Sequence, residues 1–534
     1  MSAAGGAQPA RRRVMNLAHF MRQAARRHPD EVGFVWGEMR WSWRSLDRRI
    51  DAMAACLLAM GVSKGERVLV QSKNCNQLFE SMFACFRIGA VWVPTNFRQS
   101  PAEVAYLAQA SGAQIMICQA GFAGHITAAR RAATLRHVIV IGGHGADDYD
   151  HLVETHMGEA PSDCAVEHDD PCWFFFTSGT TGRPKAGVLT HGQMGFVITN
   201  HLADLMPGMG PADVSLVVAP LSHGAGIHQL VQVARAVKTI LPAQERLDGE
   251  EIWSLIERWR VTNMFTVPTI VKLLTEHPAI DHYDHSSLRY VIYAGAPMYR
   301  ADQKYALRKL GKVLVQYFGL GEVTGNITVL PPYLHEMEDH PGARIGTCGY
   351  ARTAMQISIQ NDQGEEVPAG RTGEICVCGL AVFAGYYNNP EANAKAFRDG
   401  WFRTGDLGYV DEAGYLFITG RSSDMYISGG SNVYPREAEE ILLSHPAIAQ
   451  AAIVGAPDPI WGEIGICVCV LRPGHAIGEA ELSAWLAPKI ARYKLPKRIF
   501  FWSDLPKSGY GKITKKLILD ELRTLSLIGA DQAD

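Results

Sequence analysis

The feature that most constrains the fold of this chain is an alternation of short β-branched runs with amphipathic segments, from Trp41 to about Pro331. Residues 45–61 and 75–89 have helical periodicity, whereas the runs at 67–72 and 90–96 are strand-like. Strands that alternate with helical segments of about 10–15 residues are typical of βαβ units, in which successive strands lie parallel. The pattern therefore predicts an α/β fold built from layers of parallel strands and helices.

The pattern changes twice after this region. From about 345 to 420, short runs are broken by Gly, Pro and Asp, which indicates antiparallel sheet or a small barrel. After Arg421, a block of about 110 residues mixes helical segments with strands and is long enough to form a domain. We therefore predict a large N-terminal domain over 1–421, with a small β-barrel-like subdomain at about 345–420, and a small α+β C-terminal domain over 422–534.

Composition excludes several classes of function. The 534 residues carry 51 Lys+Arg against 54 Asp+Glu, a net charge of −3, so bulk electrostatics favours neither nucleic acid nor a membrane surface. No run of 18 apolar residues occurs, so no helix is predicted to span a bilayer. The Arg-rich N-terminus lacks the apolar segment of a secretory signal, and we predict a cytoplasmic protein; an organellar transit peptide stays open on composition alone.

The most informative motif is TSGTTGRPK, from Thr177 to Lys185, which follows the strand-like run CWFFF. Its glycines allow a tight backbone turn that points N–H groups inward, while its hydroxyls, Arg183 and Lys185 add donors and positive charge. These properties describe a cradle for a polyphosphate. The spacing of its glycines and lysine differs from that of a Walker P-loop.

At this motif the sequence resembles the adenylate-forming superfamily of acyl-CoA synthetases, luciferases and nonribosomal-peptide adenylation domains. The family's phosphate loop reads [ST]SG[ST]TGxPKG, and only Ala186 departs from it here. The resemblance extends from Asn16 to about Lys516, with further motifs in the family's order.

The resemblance implies an ATP site with a bound magnesium ion. Phe318 takes the position of a tyrosine that stacks on adenine, Asp406 and Arg421 take those of two ribose contacts, and Glu322 that of the Mg²⁺ ligand. The positions implied to bind the nucleotide are Thr177, Ser178, Gly179, Thr180, Thr181, Gly182, Lys185, Gly295, Ala296, Pro297, Gln316, Phe318, Gly319, Asp406 and Arg421.

The remaining motifs imply an acyl pocket, a coenzyme A tunnel and a mobile catalytic residue. His223 is the candidate gate of the acyl pocket, which Leu320 also lines. Ser428, Gly429 and Gly430 match the strand that lines the pantetheine tunnel in acyl-CoA synthetases. Asp424 lies at the family's hinge position, and Lys512 matches the family's catalytic lysine.

These assignments imply an acid–CoA ligase that works in two half-reactions. A carboxylic acid and ATP give acyl-AMP and pyrophosphate, and rotation of the small domain then lets the thiol of coenzyme A take the acyl group. The clearest departure is Gly321, where the family usually has a threonine; Thr324 or Thr180 are the nearby hydroxyls that could compensate.

Alternatives to this reading remain open. They are an adenylating enzyme that loads a carrier protein, a non-catalytic nucleotide-binding homologue and a luciferase-like oxygenase. The segments GFVITN and GIHQLVQVARA are mostly apolar and carry no obvious arginine for a second carboxylate, which favours a fatty or aryl monocarboxylic acid. A homodimer is compatible with the sequence, which does not determine the oligomeric state.

Overall fold

A computed structural model describes residues 13–177, 183–244, 246–296, 298–421, 424–428, 431–507 and 513–528. Its helices are α1 His19–Arg27, α2 Trp43–Ala59, α3 Asn76–Arg87, α4 Pro101–Ser111, α5 Ala123–Ala129, α6 Tyr149–Thr155, α7 His191–Asp204, α8 Gly224–Ala234, α9 Gly249–Trp259, α10 Pro268–Glu276, α11 Arg300–Leu310, α12 Pro390–Ala396, α13 Pro435–Leu443, α14 Glu479–Leu486 and α15 Lys515–Thr524. None of the described helices is long and apolar enough to cross a membrane.

The strands are β1 Arg13–Val14, β2 Val32–Trp36, β3 Met39–Ser42, β4 Arg67–Gln71, β5 Val91–Pro94, β6 Ile115–Gln119, β7 His137–Ile141, β8 Val166–Glu167, β9 Pro171–Thr177, β10 Lys185–Thr190, β11 Val214–Val217, β12 Lys238–Leu241, β13 Asn263–Thr266, β14 Tyr290–Tyr293, β15 Leu314–Phe318, β16 Thr328–Leu330, β17 Thr347–Ala351, β18 Met355–Gln360, β19 Gly373–Gly379, β20 Phe397–Arg398, β21 Trp401–Val410, β22 Tyr415–Arg421, β23 Tyr426–Ser428, β24 Ser431–Val433, β25 Ile448–Asp458, β26 Gly462–Leu471 and β27 Arg498–Trp502.

Two sheets form the N-terminal part of the molecule, and the predicted parallel βα layers are confirmed in both. One has the order β10-β9-β5-β4-β6-β7, parallel except for the β10–β9 pair. The other contains the parallel run β15-β14-β13-β11-β12-β2. Helix α3 packs on β5, helix α8 packs on β12 and β13, and nearly every residue of both helices is buried. These helices are buried because they lie in the core shared by the two sheets.

The antiparallel strands expected at about 345–420 are present, and they continue the second sheet. Strand β16 pairs with β15 on one side and with β17 on the other, and β22, β21, β19 and β18 follow in turn. The sheet is therefore continuous from the parallel run to β18. The predicted domain boundaries themselves stay a prediction.

The last part of the chain has its own sheet and its own core. Strands β24, β23, β26 and β25 lie side by side, and β27 pairs parallel to β26. Helices α13 and α14 bury their apolar faces in one cluster with this sheet, and α15 packs on β25 in a second cluster. Tyr299, from the N-terminal part, packs against the first of these clusters. The mixture of helices and strands predicted for this region is confirmed.

Candidate active site

A buried carboxylate marks the centre of the site predicted from the motifs. Glu322 lies in a short 3₁₀ turn after β15 and is 6% exposed. Its Oε1 accepts hydrogen bonds from the hydroxyl of Thr177, at 2.8 Å, and from that of Tyr386, at 2.9 Å. Burial, and then the neighbouring carboxylate, raises the pKa of Tyr386, so that hydroxyl stays protonated and donates. Two distant segments therefore converge on one carboxylate oxygen of a third.

The residues that flank the predicted phosphate loop lie at this carboxylate. Thr177 ends β9 and Lys185 begins β10, and the two are register partners in the antiparallel pair. The Nζ of Lys185 lies 5.3 Å from the centre of the Tyr386 ring, a cation–π contact beside Glu322. The other loop residues assigned to the nucleotide lie outside the described residues: Ser178, Gly179, Thr180, Thr181 and Gly182.

The two segments predicted to bind adenine follow neighbouring parallel strands. Tyr293 and Gln316 are register partners on β14 and β15, and the Tyr293 hydroxyl donates to Gln316 Oε1 at 3.1 Å. Gly295 follows with a φ of 81°, in the left-handed region that favours glycine. A Cβ on Gly319 would lie 2.5 Å from the Cα of Gly325, so the backbone there approaches itself too closely for a side chain.

These segments place the predicted adenine site at the carboxyl ends of parallel strands, where crevices of α/β sheets bind ligands. Phe318, at the end of β15, is partly buried and packs against the large core, and Ala296 is partly buried beyond β14. Pro297, assigned to the same site, lies outside the described part of the chain.

The two residues predicted to bind ribose are joined to each other. Asp406 on β21 and Arg421 on β22 are register partners, and Arg421 Nε donates to Asp406 Oδ1 at 2.9 Å. Asp406 is only 4% exposed, whereas the Arg421 side chain is 55% exposed. The Asp406 carboxylate, opposed by partial desolvation, raises the pKa of Arg421, which keeps the guanidinium charged. The pair thus offers a buried acceptor beside an exposed donor.

The predicted acyl gate lies against the strand that precedes the phosphate loop. His223 is the N-cap residue of α8, and its ring centre lies 4.5 Å from that of Phe175 on β9. Leu320 follows β15, as N-cap of the turn that carries Glu322, and packs against the large core. The predicted gate and the predicted magnesium ligand therefore both contact strand β9, at Phe175 and Thr177.

The structure gives a steric reason for Gly321. A Cβ at this position would lie 2.6 Å from two carbons of the Phe175 ring and 3.0 Å from Cγ2 of Thr177. Threonine, the usual family residue, therefore does not fit beside this phenylalanine. Of the two hydroxyls named as substitutes, that of Thr324 donates to the carbonyl of Val323 at 2.7 Å and is buried. Thr180 lies outside the described residues.

The structure describes some of the residues predicted to form the hinge, the coenzyme A tunnel and the catalytic loop. The backbone N–H of Asp424 donates to the carbonyl of Arg421 at 3.1 Å, which ties the predicted hinge residue to the end of β22. Ser428 ends β23, is buried and is a register partner of Gly462. Gly429, Gly430 and Lys512 fall in gaps of the described chain, so the predicted tunnel and catalytic lysine stay predictions.

Sequence reasoning missed two residues of this site, Tyr386 and Phe175. Tyr386 is 64 positions from the carboxylate that it contacts, and it follows Gly385 in a segment that carries no motif identified in the sequence. Phe175 was assigned only to a strand, and its contact with Gly321 crosses from one sheet to the other. The sequence feature that could have indicated a bulky neighbour such as Phe175 was the glycine, Gly321, at the family's threonine position.

No group of three or more His, Cys, Asp or Glu side chains that could hold a metal ion occurs among the described residues. A magnesium ion needs no such cluster, because it is commonly held by one or two carboxylates with substrate phosphates and water. Glu322 and Thr177 offer a carboxylate and a hydroxyl oxygen 2.8 Å apart, the hard donors that Mg²⁺ prefers. The described residues therefore fit the ion.

Comparison with known proteins extends these observations to most of the chain. The sequence matches the family described as AMP-binding enzyme over residues 21–387 and its C-terminal domain over residues 437–512. It is 35% identical over 503 residues to a feruloyl-CoA synthase of Amycolatopsis sp, covering 94% of this chain and 98% of that protein. It is 32% identical over 485 residues to the fatty acid–[acyl-carrier-protein] ligase ScoC of Streptomyces coeruleorubidus, covering 90% and 91%.

A solved structure agrees with the fold. The crystal structure of ATP-bound MatB from Rhodopseudomonas palustris superposes with a TM-score of 0.84 at 27% identity, covering 96% of this chain and 100% of that one. The first matched region contains the phosphate loop and the segments predicted to bind adenine and magnesium, and the second ends at the predicted lysine, Lys512. The chain therefore belongs to the AMP-binding enzyme family of adenylate-forming enzymes, as an AMP-forming acid–CoA ligase.

Proposed function

We propose that this ligase activates a monocarboxylic aliphatic or aryl acid at the site around Glu322 and transfers it to coenzyme A. The observation that carries the proposal is the convergence of Thr177 and Tyr386 on Glu322. It joins the strand before the phosphate loop to the acidic motif that follows β15. In the first half-reaction, a carboxylate oxygen of the acid attacks the α-phosphorus of ATP, and the bond to the pyrophosphate oxygen breaks.

Charge is the main obstacle to this step. Two unit negative charges 4 Å apart repel by about 4 kcal/mol at an effective dielectric constant near 20. We assign the compensating ammonium to Lys512 and the compensating metal ion to Glu322. When bound, Mg²⁺ would supply positive charge that neutralises phosphate oxygens. Asp406 and Arg421 would hold the ribose, since a carboxylate accepts from hydroxyls and a guanidinium donates to them.

In the second half-reaction, the acyl group of acyl-AMP is transferred to coenzyme A at the same site. The thiolate sulfur of coenzyme A attacks the acyl carbon, the bond to the AMP oxygen breaks, and the thioester and AMP leave. We propose that Ser428, Gly429 and Gly430 line the path of the pantetheine arm. Asp424 is then a hinge residue, which lets the C-terminal domain exchange Lys512 for this strand.

The names of two relatives support particular choices of the acid substrate and of the acyl acceptor. A feruloyl-CoA synthase favours an aryl acid, whereas a ligase named for fatty acids favours an aliphatic one. The second of these names also keeps a carrier protein as an alternative acceptor. A role in fatty acid metabolism, a cytoplasmic location and a homodimer remain predictions.

The test is pyrophosphate release across a panel of aliphatic and aryl acids, measured with and without coenzyme A. We expect acid-dependent release of pyrophosphate, with an acyl-CoA product that forms only when coenzyme A is present. Release without any transfer to coenzyme A, together with transfer to a carrier protein, would establish the alternative. Failure of every acid to stimulate pyrophosphate release would refute the proposal.

A further inference from the structure

An asparagine side chain joins the two N-terminal sheets beside the predicted gate. Asn74 follows strand β4, in the sheet that also contains β5 and β9. Its Nδ2 donates to the carbonyl of Ala219 at 3.0 Å, and its Oδ1 accepts from the N–H of Leu221 at 2.8 Å. Both partners lie in the loop that follows β11 of the other sheet. One amide group therefore holds two backbone groups of a loop 145 and 147 positions away.

The two bonds pair backbone groups that are buried. Ala219 is 5% exposed and Leu221 is 2% exposed. Within the described part of the chain, the bonds to Asn74 are the hydrogen bonds that this carbonyl and this N–H make. Pro220, between them, has no N–H to offer. Without the Asn74 side chain, a buried acceptor and a buried donor would lack partners, which is costly in a folded protein. We therefore expect the loop to leave this position when the side chain is removed.

The loop held by Asn74 leads directly to the predicted gate. Pro220 to His223 form a turn, which a hydrogen bond from the N–H of His223 to the carbonyl of Pro220 closes at 3.1 Å. His223 is then the N-cap residue of α8. The carbonyl of Leu221 lies so close to Gly226, in the first turn of α8, that a Cβ would not fit there. The loop and the start of the helix therefore form one compact unit, which a shift at Asn74 would displace.

The other end of this connection is fixed to the sheet of β4 and β9. The N–H of Lys73, next to Asn74, donates to Gln119 Oε1 at the end of β6, at 3.2 Å. Phe175, whose ring centre lies 4.5 Å from that of His223, is on β9 of the same sheet. Asn74 is therefore placed to set how the His223 ring lies against Phe175.

We propose that Asn74 is a positioning residue, whose amide holds the loop before α8 so that His223 can form one side of the acid site. The inference rests on the proposed function, which takes His223 as the gate of the acyl pocket. In this role Asn74 acts through His223 and not on the reacting atoms. A loop released from Asn74 would occupy other positions for part of the time. The apparent affinity for the acid then falls in proportion to the fraction of molecules in which the loop remains in place.

The test compares KM for the acid with KM for ATP in the same enzyme. Pyrophosphate release would be measured with the best acid of the panel, with each substrate varied at saturation of the other. We expect Asn74→Ala to raise KM for the acid by about tenfold or more while KM for ATP stays within about twofold of the wild type. The ATP site should be spared because its predicted contacts lie on other segments.

A second variant covers the case in which Asn74→Ala does not fold. Asn74→Asp keeps the acceptor for the N–H of Leu221 and loses the donor to the carbonyl of Ala219. It should raise KM for the acid by a smaller factor, about threefold or more, again with little effect on KM for ATP. If only this variant folds, it decides the question by the same comparison.

Asn76→Ala is the matched control. Asn76 lies two positions later, is 2% exposed, and donates from Nδ2 to Glu80 Oε1 at 2.9 Å within helix α3. Its loss should lower stability, as the loss of any buried hydrogen bond does, but should leave KM for the acid within about twofold of the wild type. A rise in KM for the acid in this variant as large as that in Asn74→Ala would overturn the inference.

A double-mutant cycle with His223→Ala tests whether Asn74 acts through the gate. We expect His223→Ala to change KM for the acid, and Asn74→Ala to add less than about threefold in that background. Effects that multiply, an unchanged KM for the acid in the folded Asn74 variants, or an equal rise in KM for ATP would overturn the inference and leave the proposed function standing. A His223→Ala enzyme with the KM of the wild type for the acid would refute the gate assignment, and the inference with it. Absence of acid-dependent release in the wild type would refute the proposed function itself.

Discussion

The contact between Gly321 and Phe175 gives the sharpest quantitative prediction. In Gly321→Ala, the new Cβ would lie 2.6 Å from two carbons of the Phe175 ring, whereas carbon atoms in contact are about 3.5–4.0 Å apart. The ring must therefore move by about 1 Å. The ring is buried, and its centre lies 5.9 Å from the ring centre of Trp173 and 4.5 Å from that of His223. It therefore cannot move without displacing these neighbours.

Overpacking of this kind costs about 1–3 kcal/mol, and we expect Gly321→Ala to lower the free energy of unfolding by that amount. The displaced ring should also shift His223 and raise KM for the acid more than KM for ATP. Phe175→Leu alone should destabilise the protein by about 1–3 kcal/mol, below the cost of a full Phe→Ala truncation. The smaller side chain makes room for the methyl group. The loss of stability in the double variant should therefore be smaller than the sum of the two single losses by at least about 1 kcal/mol.

Urea unfolding followed by tryptophan fluorescence measures these changes, and acid-dependent pyrophosphate release measures KM. Gly195→Ala is the matched control, since nothing lies within 4 Å of its Cβ and it is in helix α7. There alanine should be neutral or stabilising by up to about 1 kcal/mol. Strict additivity in the double variant, or a Gly321→Ala protein as stable as the wild type, would refute the steric argument.

Three other predictions concern the chemistry. Lys512→Ala should lose acyl-AMP formation and still convert preformed acyl-AMP to thioester, while Gly430→Leu should accumulate acyl-AMP; loss of both half-reactions in either variant would count against domain alternation. Tyr386→Phe removes one of the two hydrogen bonds that described side chains donate to the Glu322 carboxylate. We therefore expect weaker magnesium binding, seen as an increase of about two- to tenfold in the Mg²⁺ concentration at half-maximal rate. Asp406→Asn should raise KM for ATP by about tenfold or more with little effect on KM for the acid, because a charged acceptor is lost; equal effects on both would argue against the ribose assignment.

Local sequence patterns were sufficient for the parts of the fold that depend on local periodicity. The βα alternation predicted parallel sheets, which the structure has, and the motif at Thr177 to Lys185 predicts a phosphate site, which stays a prediction. What they could not predict depends on contacts between distant segments. Glu322 is 145 residues from Thr177, and neither residue shows in its own neighbourhood that the other is its partner. The continuity of the second sheet past β16 could not be predicted either, because strand pairing depends on the whole topology and not on local sequence.

The Asp406–Arg421 pair would limit where the proposed rotation of the C-terminal domain begins. Arg421 is the last residue of β22, it pairs with β21 in the ladder, and its side chain is bonded to a buried carboxylate. Moving Arg421 would break this charge-assisted hydrogen bond to a buried carboxylate, which is costly. Asp424 follows three positions later and bonds back to the carbonyl of Arg421. A rotation that begins at Asp424 would leave the predicted ribose contacts in place, so AMP could stay bound while the domain exchanges the predicted catalytic lysine for the strand at Ser428.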